Sequence, residues 1–181
     1  TKDFSLESEV ARLKIHVRPV DIGAIFQEAR TAVERLAALH HVTLSATLPS
    51  EAMTLSTDPV LAHQILVSAL SYAIQEANGG DLAISFDVGH DLLTLTLDYM
   101  LKEMGDSKLA ADAIIPKLAE RLKWTIGLND TPDGYRHVML RMASSRTTVM
   151  VIDDNEGWVE LLNRFLQGFD CLVVSTRGDS D

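Results

Sequence analysis

The chain reads as an α/β protein, a two-layer α/β sandwich (a mixed sheet with helices on one face) followed by a short β-α-β unit. Three observations predict it. Two pairs of alternating apolar and polar segments are each joined by a short turn, which is the period of half-buried strands. Capped amphipathic segments are interleaved with those hairpins, so the order helix, strand, helix, hairpin, helix, hairpin emerges. Near the end, the β-branched run Thr148 to Ile152 leads into a second amphipathic segment, Glu156 to Gln167, and then the apolar run Cys171 to Ser175.

Taken in order, Thr1 to about Leu13 is charged and places Phe4, Leu6, Val10 and Leu13 at roughly helical spacing, as in the end of a longer helix. Pro19 breaks that pattern. Asp21 can cap a helix whose apolar stripe is Ile22, Ile25, Phe26, Ala29, Val33, Leu36 and Ala37. His40 and His41 fall at its end, where imidazoles can meet free carbonyls. Val42, Leu44, Ala46 and Leu48 alternate as a strand. Asp58-Pro59 then joins a capping carboxylate to a proline at the first helical position, and the helix runs to about Glu76 before Asn78-Gly79-Gly80. A hairpin follows, Leu82 to Val88 and Leu93 to Leu97, turning at Gly89-His90. Lys108 to Lys123 has helical character, with Pro116 expected to kink or split it. Trp124 to Leu128 and Tyr135 to Met142 make a second hairpin around Thr131-Pro132-Asp133-Gly134. Ala143-Ser144-Ser145-Arg146 is a polar linker and marks the domain boundary.

With 181 residues and 46% hydrophobic content, the chain holds enough apolar material for a real core. A formal net charge of -10 disfavours nucleic acid or an anionic membrane surface as partner, since both reward basic patches. No run of 18 apolar residues exists, so no membrane span is expected, and Thr1 to Glu7 lacks the pattern of a signal peptide. One cysteine, Cys171, cannot form an internal disulfide and sits in an apolar run, which suits a buried small hydrophobe and a reducing, cytoplasmic setting. No histidine or cysteine spacing suggests zinc.

Asp153 and Asp154 stand at the carboxyl end of the Thr148 to Ile152 run. Ligands of open α/β sheets bind outside the carboxyl ends of strands, and two adjacent carboxylates there suit a hard cation such as Mg2+. The competing reading is a solvated acidic turn.

Asp3-Phe4-Ser5 with Leu13-Lys14 and Pro19-Val20-Asp21, then Asp58-Pro59-Val60-Leu61 with His63-Gln64-Ile65-Leu66 and Leu70 to Ile74, then Val149 to Asn155 follow one another in a fixed order. In that order they resemble an internal part of a hybrid sensor histidine kinase. Residues 1–18 are similar to the end of a dimerisation and phosphotransfer helix and its linker. Residues 19–143 are similar to the histidine-kinase ATPase (GHKL, Bergerat-type) domain. Residues 144–147 link it to 148–181, similar to the amino-terminal part of a flavodoxin-like response-regulator receiver, truncated before its phosphoacceptor aspartate.

The resemblance implies ATP and Mg2+ as family cofactors. It places Ser68 and Tyr72 where the family has two N-box asparagines facing the phosphates, and Asp98 where a carboxylate receives the adenine amino group. It also implies a receiver-type Mg2+ role for Asp153 and Asp154. Departures accompany the matches. Tyrosine is larger than asparagine, Gln75 replaces a basic residue, and Tyr99 and Met100 follow Asp98 in place of glycines that let a backbone approach a ligand. Lys102 to Ser107 is too short and glycine-poor for a nucleotide lid. The expectation is therefore a degenerate ATPase-like domain, a pseudokinase, with ATP binding lost and no catalytic residue. It would act by protein contacts with the kinase, receiver or phosphotransfer protein of a phosphorelay, with a homodimer as one option. The alternative is an active ATP-dependent protein-histidine kinase with a divergent site. A third reading is a small-molecule sensor with Tyr72, Asp98 and Tyr99 near a pocket mouth.

Overall fold

A computed structural model describes residues 14–50, 53–89, 92–103, 114–143, 147–152, 155–166 and 171–176. The chain divides into two compact units, Thr1–Ser144 and Ser145–Asp181.

The first described element of the first unit is β1 (Arg18–Asp21), which runs into α1 (Ile22–Leu39). The Asp21 carboxylate accepts from the Gly23 and Ala24 N–H groups at 2.8 and 3.4 Å, so it caps the helix as its sequence position predicts. At the far end the cap is backbone: His40 N–H donates to Leu36 and Ala37, and His41 N–H to Ala38. His41 adopts a left-handed φ of 55°, the geometry of a helix stop, and both histidines are exposed. The expected imidazole contribution is thus replaced by main-chain N–H groups.

After β2 (Val42–Thr47) and the short β3 (Thr54–Thr57) comes α2 (Pro59–Glu76). Asp58 caps it, accepting from Val60 N–H at 2.9 Å and Leu61 N–H at 3.1 Å. Its other oxygen takes the His16 N–H at 2.7 Å, which ties the chain ahead of β1 to the start of α2. Gly79 and Gly80 turn the chain into β4 (Gly80–Val88) with φ of 69° and 75°, conformations that a side chain disfavours. β5 (Leu92–Met100), α3 (Ile114–Arg121), β6 (Thr125–Asp130) and β7 (Tyr135–Ala143) complete the unit. Pro116 is the third residue of α3 as described. Residues 108–113 of the anticipated helix, and His90 of the first turn, lie outside the described residues.

Five strands form one mixed sheet in the order β2-β4-β5-β7-β6. β2 and β4 are parallel and the remaining pairs antiparallel, while β1 and β3 pair separately. Alternation decides the layers. Leu82 and Ile84, Leu93, Leu95 and Leu97, and Val138, Leu140 and Met142 are buried and share one core with α1, α2 and α3. The intervening residues, such as Ser85, Thr96 and Arg141, form the opposite, polar face. The expected two-layer sandwich of mixed sheet and helices is the fold. α2 is the central helix, with Ile65, Leu66, Leu70 and Ile74 fully buried.

In the second unit, β8 (Thr147–Ile152) and β9 (Cys171–Thr176) are parallel and joined by α4 (Glu156–Leu166). Asn155 caps α4, its side chain accepting from the Gly157 and Trp158 N–H groups.

Candidate functional site

α2 and the carboxyl end of β5 carry the residues that the sequence singles out. Ser68 and Tyr72 lie one turn apart on α2, both half-buried, with Tyr72 packed against the core. Asp98 stands opposite Ala83 of β4 and His137 of β7, on the polar face of the sheet, and its carboxylate hydrogen-bonds the His137 Nδ1. The sheet therefore separates Asp98 from α2. Asp98, Ser68 and Tyr72 are not brought together, and none of them lines the cavities of about 570, 400 and 430 Å3 on the described surface. Asp153 and Asp154 lie outside the described residues. Among the described residues no cluster of three or more histidine, cysteine, aspartate or glutamate side chains could hold a metal ion.

Next to Asp98, at the same end of β5, the residue that faces the helices is Tyr99, only 1% exposed. Its hydroxyl donates to Glu76 Oε2 at 2.8 Å, at the last residue of α2. Arg136 of β7 donates to that same oxygen from Nη1 at 2.9 Å. The guanidinium also forks onto Asp130 of β6, Nε to Oδ1 and Nη2 to Oδ2, each at 2.6 Å. Two carboxylates thus bracket one guanidinium in the bidentate geometry that suits arginine. The Glu76 and Arg136 side chains are 7% and 4% exposed, whereas Asp130 is 32% exposed and closes the cluster toward solvent.

The electrostatics follow from this packing. Burial first, and the hydrogen bond to Glu76 second, push the Tyr99 hydroxyl well above the usual phenol value, so it stays a neutral donor. The Arg136 hydrogen bonds hold the Asp130 carboxyl below the ordinary carboxylate range, and Asp130 in turn raises Arg136. Such a cluster locks three strands and a helix end in register. It offers no group free to take or give a proton.

Backbone bonds reinforce the junction. Asn78 N–H donates to Met100, Lys102 N–H to Glu76, and Leu101 N–H to Gly134, joining the end of α2, β5 and the β6–β7 turn. Tyr99 is therefore inside the core, which removes it from any pocket mouth. The cluster was legible in part. Arg136 shares its phase with Val138, Leu140 and Met142, and Glu76 lies seven residues after Ala69 on the buried side of α2. A charge in a buried phase requires a buried partner.

No known protein family and no curated protein matches the sequence. Solved structures do match. The histidine kinase AdeS of Acinetobacter baumannii is similar with a TM-score of 0.62 at 16% identity, over 76% of this chain and 72% of that one. The mycobacterial sensor histidine kinase MprB is similar with a TM-score of 0.58 at 12% identity, over 71% of this chain and 97% of that one. Full-length ShkA, solved in complex with AMPPNP, is similar with a TM-score of 0.61 at 11% identity, over 93% of this chain and 43% of that one. The fold is that of histidine kinase catalytic domains.

Proposed function

We propose that the chain is a two-component signalling module in which a histidine-kinase-type ATPase fold has given up nucleotide binding and works through protein contacts. The carrying observation is the Tyr99–Glu76–Arg136 cluster between α2 and the sheet. A nucleotide held by N-box positions on α2 needs its adenine-binding carboxylate on the side of the sheet that α2 covers. There the end of β5 presents Tyr99, whose hydroxyl is already engaged, and Asp98 faces away. Ser68 and Tyr72 add a short hydroxyl and a bulky ring where asparagine amides are expected. These residues do not fit ATP with Mg2+, so no phosphoryl-transfer step is derived.

The intact core, caps and sheet register argue that the fold itself is under use. Its partners on this reading are the kinase, receiver or phosphotransfer protein of a phosphorelay. The second unit is read as the amino-terminal part of a receiver, whose Asp153 and Asp154 follow β8 in sequence and would serve Mg2+ there. The 93% of this chain matched by ShkA exceeds what Thr1–Ser144 alone amounts to, which supports reading the two units as a recurring pair.

Titration of the whole chain with ATP and ADP, with and without Mg2+, tests the reading by calorimetry and melting temperature in parallel. The expected result is no heat and no shift at millimolar nucleotide from a chain that melts cooperatively. A ligand at a hundred times its Kd stabilises a fold by about 2.7 kcal/mol. Saturable, Mg2+-dependent binding with such a shift would overturn the proposal in favour of an active kinase.

A further inference from the structure

We propose that β6 is a self-association edge, to which a second copy of this chain adds its own β6 antiparallel, so that one sheet runs through both copies. The inference stands whichever way the nucleotide question is resolved. β6 is the last strand of its sheet and pairs with β7 alone. Thr131 N–H donates to Tyr135, so by alternation Asn129, Gly127 and Thr125 also turn their main-chain groups toward β7. Ile126, Leu128 and Asp130 then aim theirs outward, and among the described residues, which run unbroken through 114–143, nothing meets them. An open edge is ordinarily guarded by lysine, proline or a bulge. Thr125–Asp130 holds neither residue, and its register with β7 is unbroken. Leu128 is 36% exposed, and a cavity of about 430 Å3 runs along Thr125 to Asn129. The opposite edge strand, β2, differs: Val42 is buried there, and Leu44 and Ala46 pack against the core.

Charge placement selects the occupant. Lys123 stands exposed just ahead of β6, whereas Asp130 and Asp133 lie exposed at its far end. A strand basic at its entry and acidic at its exit complements itself only when antiparallel. The apolar residues set the register. With a two-fold axis at Gly127, Ile126 faces Leu128 of the second copy and exchanges both main-chain hydrogen bonds with it, on each side of the axis. Gly127 meets its own counterpart as the closer, non-hydrogen-bonded pair, where no side chains crowd. Lys123 then reaches the turn of the second copy that carries Asp133. Parallel pairing would set Lys123 against Lys123 and Asp133 against Asp133. The interface is isologous and closes at two copies. Six residues give a seam about 20 Å long. One strand pair of that length falls short of the roughly 1,200 Å2 of a stable specific interface, so the contact is weak, with a Kd on the order of 100 μM.

Sedimentation of the full chain from about 5 to about 500 μM, at about 0.15 M salt to screen the net charge of -10, spans that constant. A monomer–dimer equilibrium is expected. Leu128→Pro removes an outward N–H while sparing the ladder to β7, and weakens the dimer at least about tenfold. Lys123→Glu alone and Asp133→Lys alone weaken it about fivefold by juxtaposing like charges, and the two together restore it. Amide exchange locates the seam: Ile126 and Leu128 slow about threefold across that concentration range by mass action, whereas Gly127 and Asn129 are protected throughout. Cooperative urea melting of each variant, read from Trp124, separates these effects from loss of the fold. Should Leu128→Pro fail to fold, the charge variants and amide exchange still decide. A chain that stays monomeric throughout overturns the proposal and leaves the edge to an extended segment of another protein. A dimer indifferent to Leu128→Pro, a double reversal no tighter than the single ones, or Ile126 and Leu128 amides that do not slow overturns it as well.

Discussion

Replacing Arg136 by methionine tests the buried cluster where it is most exacting. Methionine keeps an unbranched stem of similar length but removes the cation. Glu76 then keeps its carboxylate at 7% exposure without the guanidinium that sits 2.9 Å away, and Asp130 loses both of its 2.6 Å bonds. Asp130 is 32% exposed and recovers water, so most of the penalty falls on Glu76. Breaking a buried pair from one side costs about 3–5 kcal/mol. Glu76→Gln is the informative comparison. It removes the charge, retains an amide oxygen able to accept from Tyr99 or Arg136, and leaves Arg136 forked onto Asp130, so the loss is about 1–3 kcal/mol. Urea unfolding, followed by the emission of Trp124 buried in the first unit, measures both, and the first variant should melt about 10–20 °C lower. If Arg136→Met costs no more than Glu76→Gln, the pair is solvated in the folded protein and the cluster is not the internal lock inferred from its geometry.

Two further outcomes follow from the same structure. Asp130 has a depressed folded pKa through its bonds to Arg136, so its contribution is fully present above the ordinary carboxylate value of about 4 and is lost as pH falls through the lower folded value. Acid titration of stability should therefore steepen below about pH 4, and Asp130→Asn should flatten that slope. Asp58→Ala removes the cap of α2 and the acceptor of the His16 N–H together, for a loss of about 2–3 kcal/mol in urea unfolding, with Asp58→Asn recovering part of it.

The elements most legible in the sequence were those governed by local chemistry. Asp21 and Asp58-Pro59 announced their helices because a capping carboxylate acts within three residues. The alternating hairpins announced themselves because burial on one face writes itself every second residue. β1 and β3 were not legible. Their partners, Arg18 with Thr57 through Asp21 with Thr54, are distant in sequence, and Leu55, Ser56 and Thr57 are all buried, so β3 carries no alternation. The site was half legible. Asp98 drew attention as a carboxylate near a strand end, yet Leu93, Leu95 and Leu97 already put it in the opposite phase. Tyr99 continues the buried phase, and its link to Glu76 and Arg136 is a tertiary fact that no local window contains.

The way β2 enters the sheet has a kinetic consequence. β5 lies between its hairpin partner β4 on one side and β7, the partner of β6, on the other, so the β4–β5 and β6–β7 ribbons close short loops. β2 instead pairs with β4 in parallel, Val42 beside Gly80, and can do so only after β3 and the whole of α2 have been threaded between them. The loop-closure entropy of that step is incurred before its contacts form. Docking of β2 is thus expected to be a late event in folding, and core substitutions along it should speed unfolding more than they slow refolding. Until it docks, β4 is an open edge, and that transient edge is where a nascent chain of this fold is most exposed to aggregation.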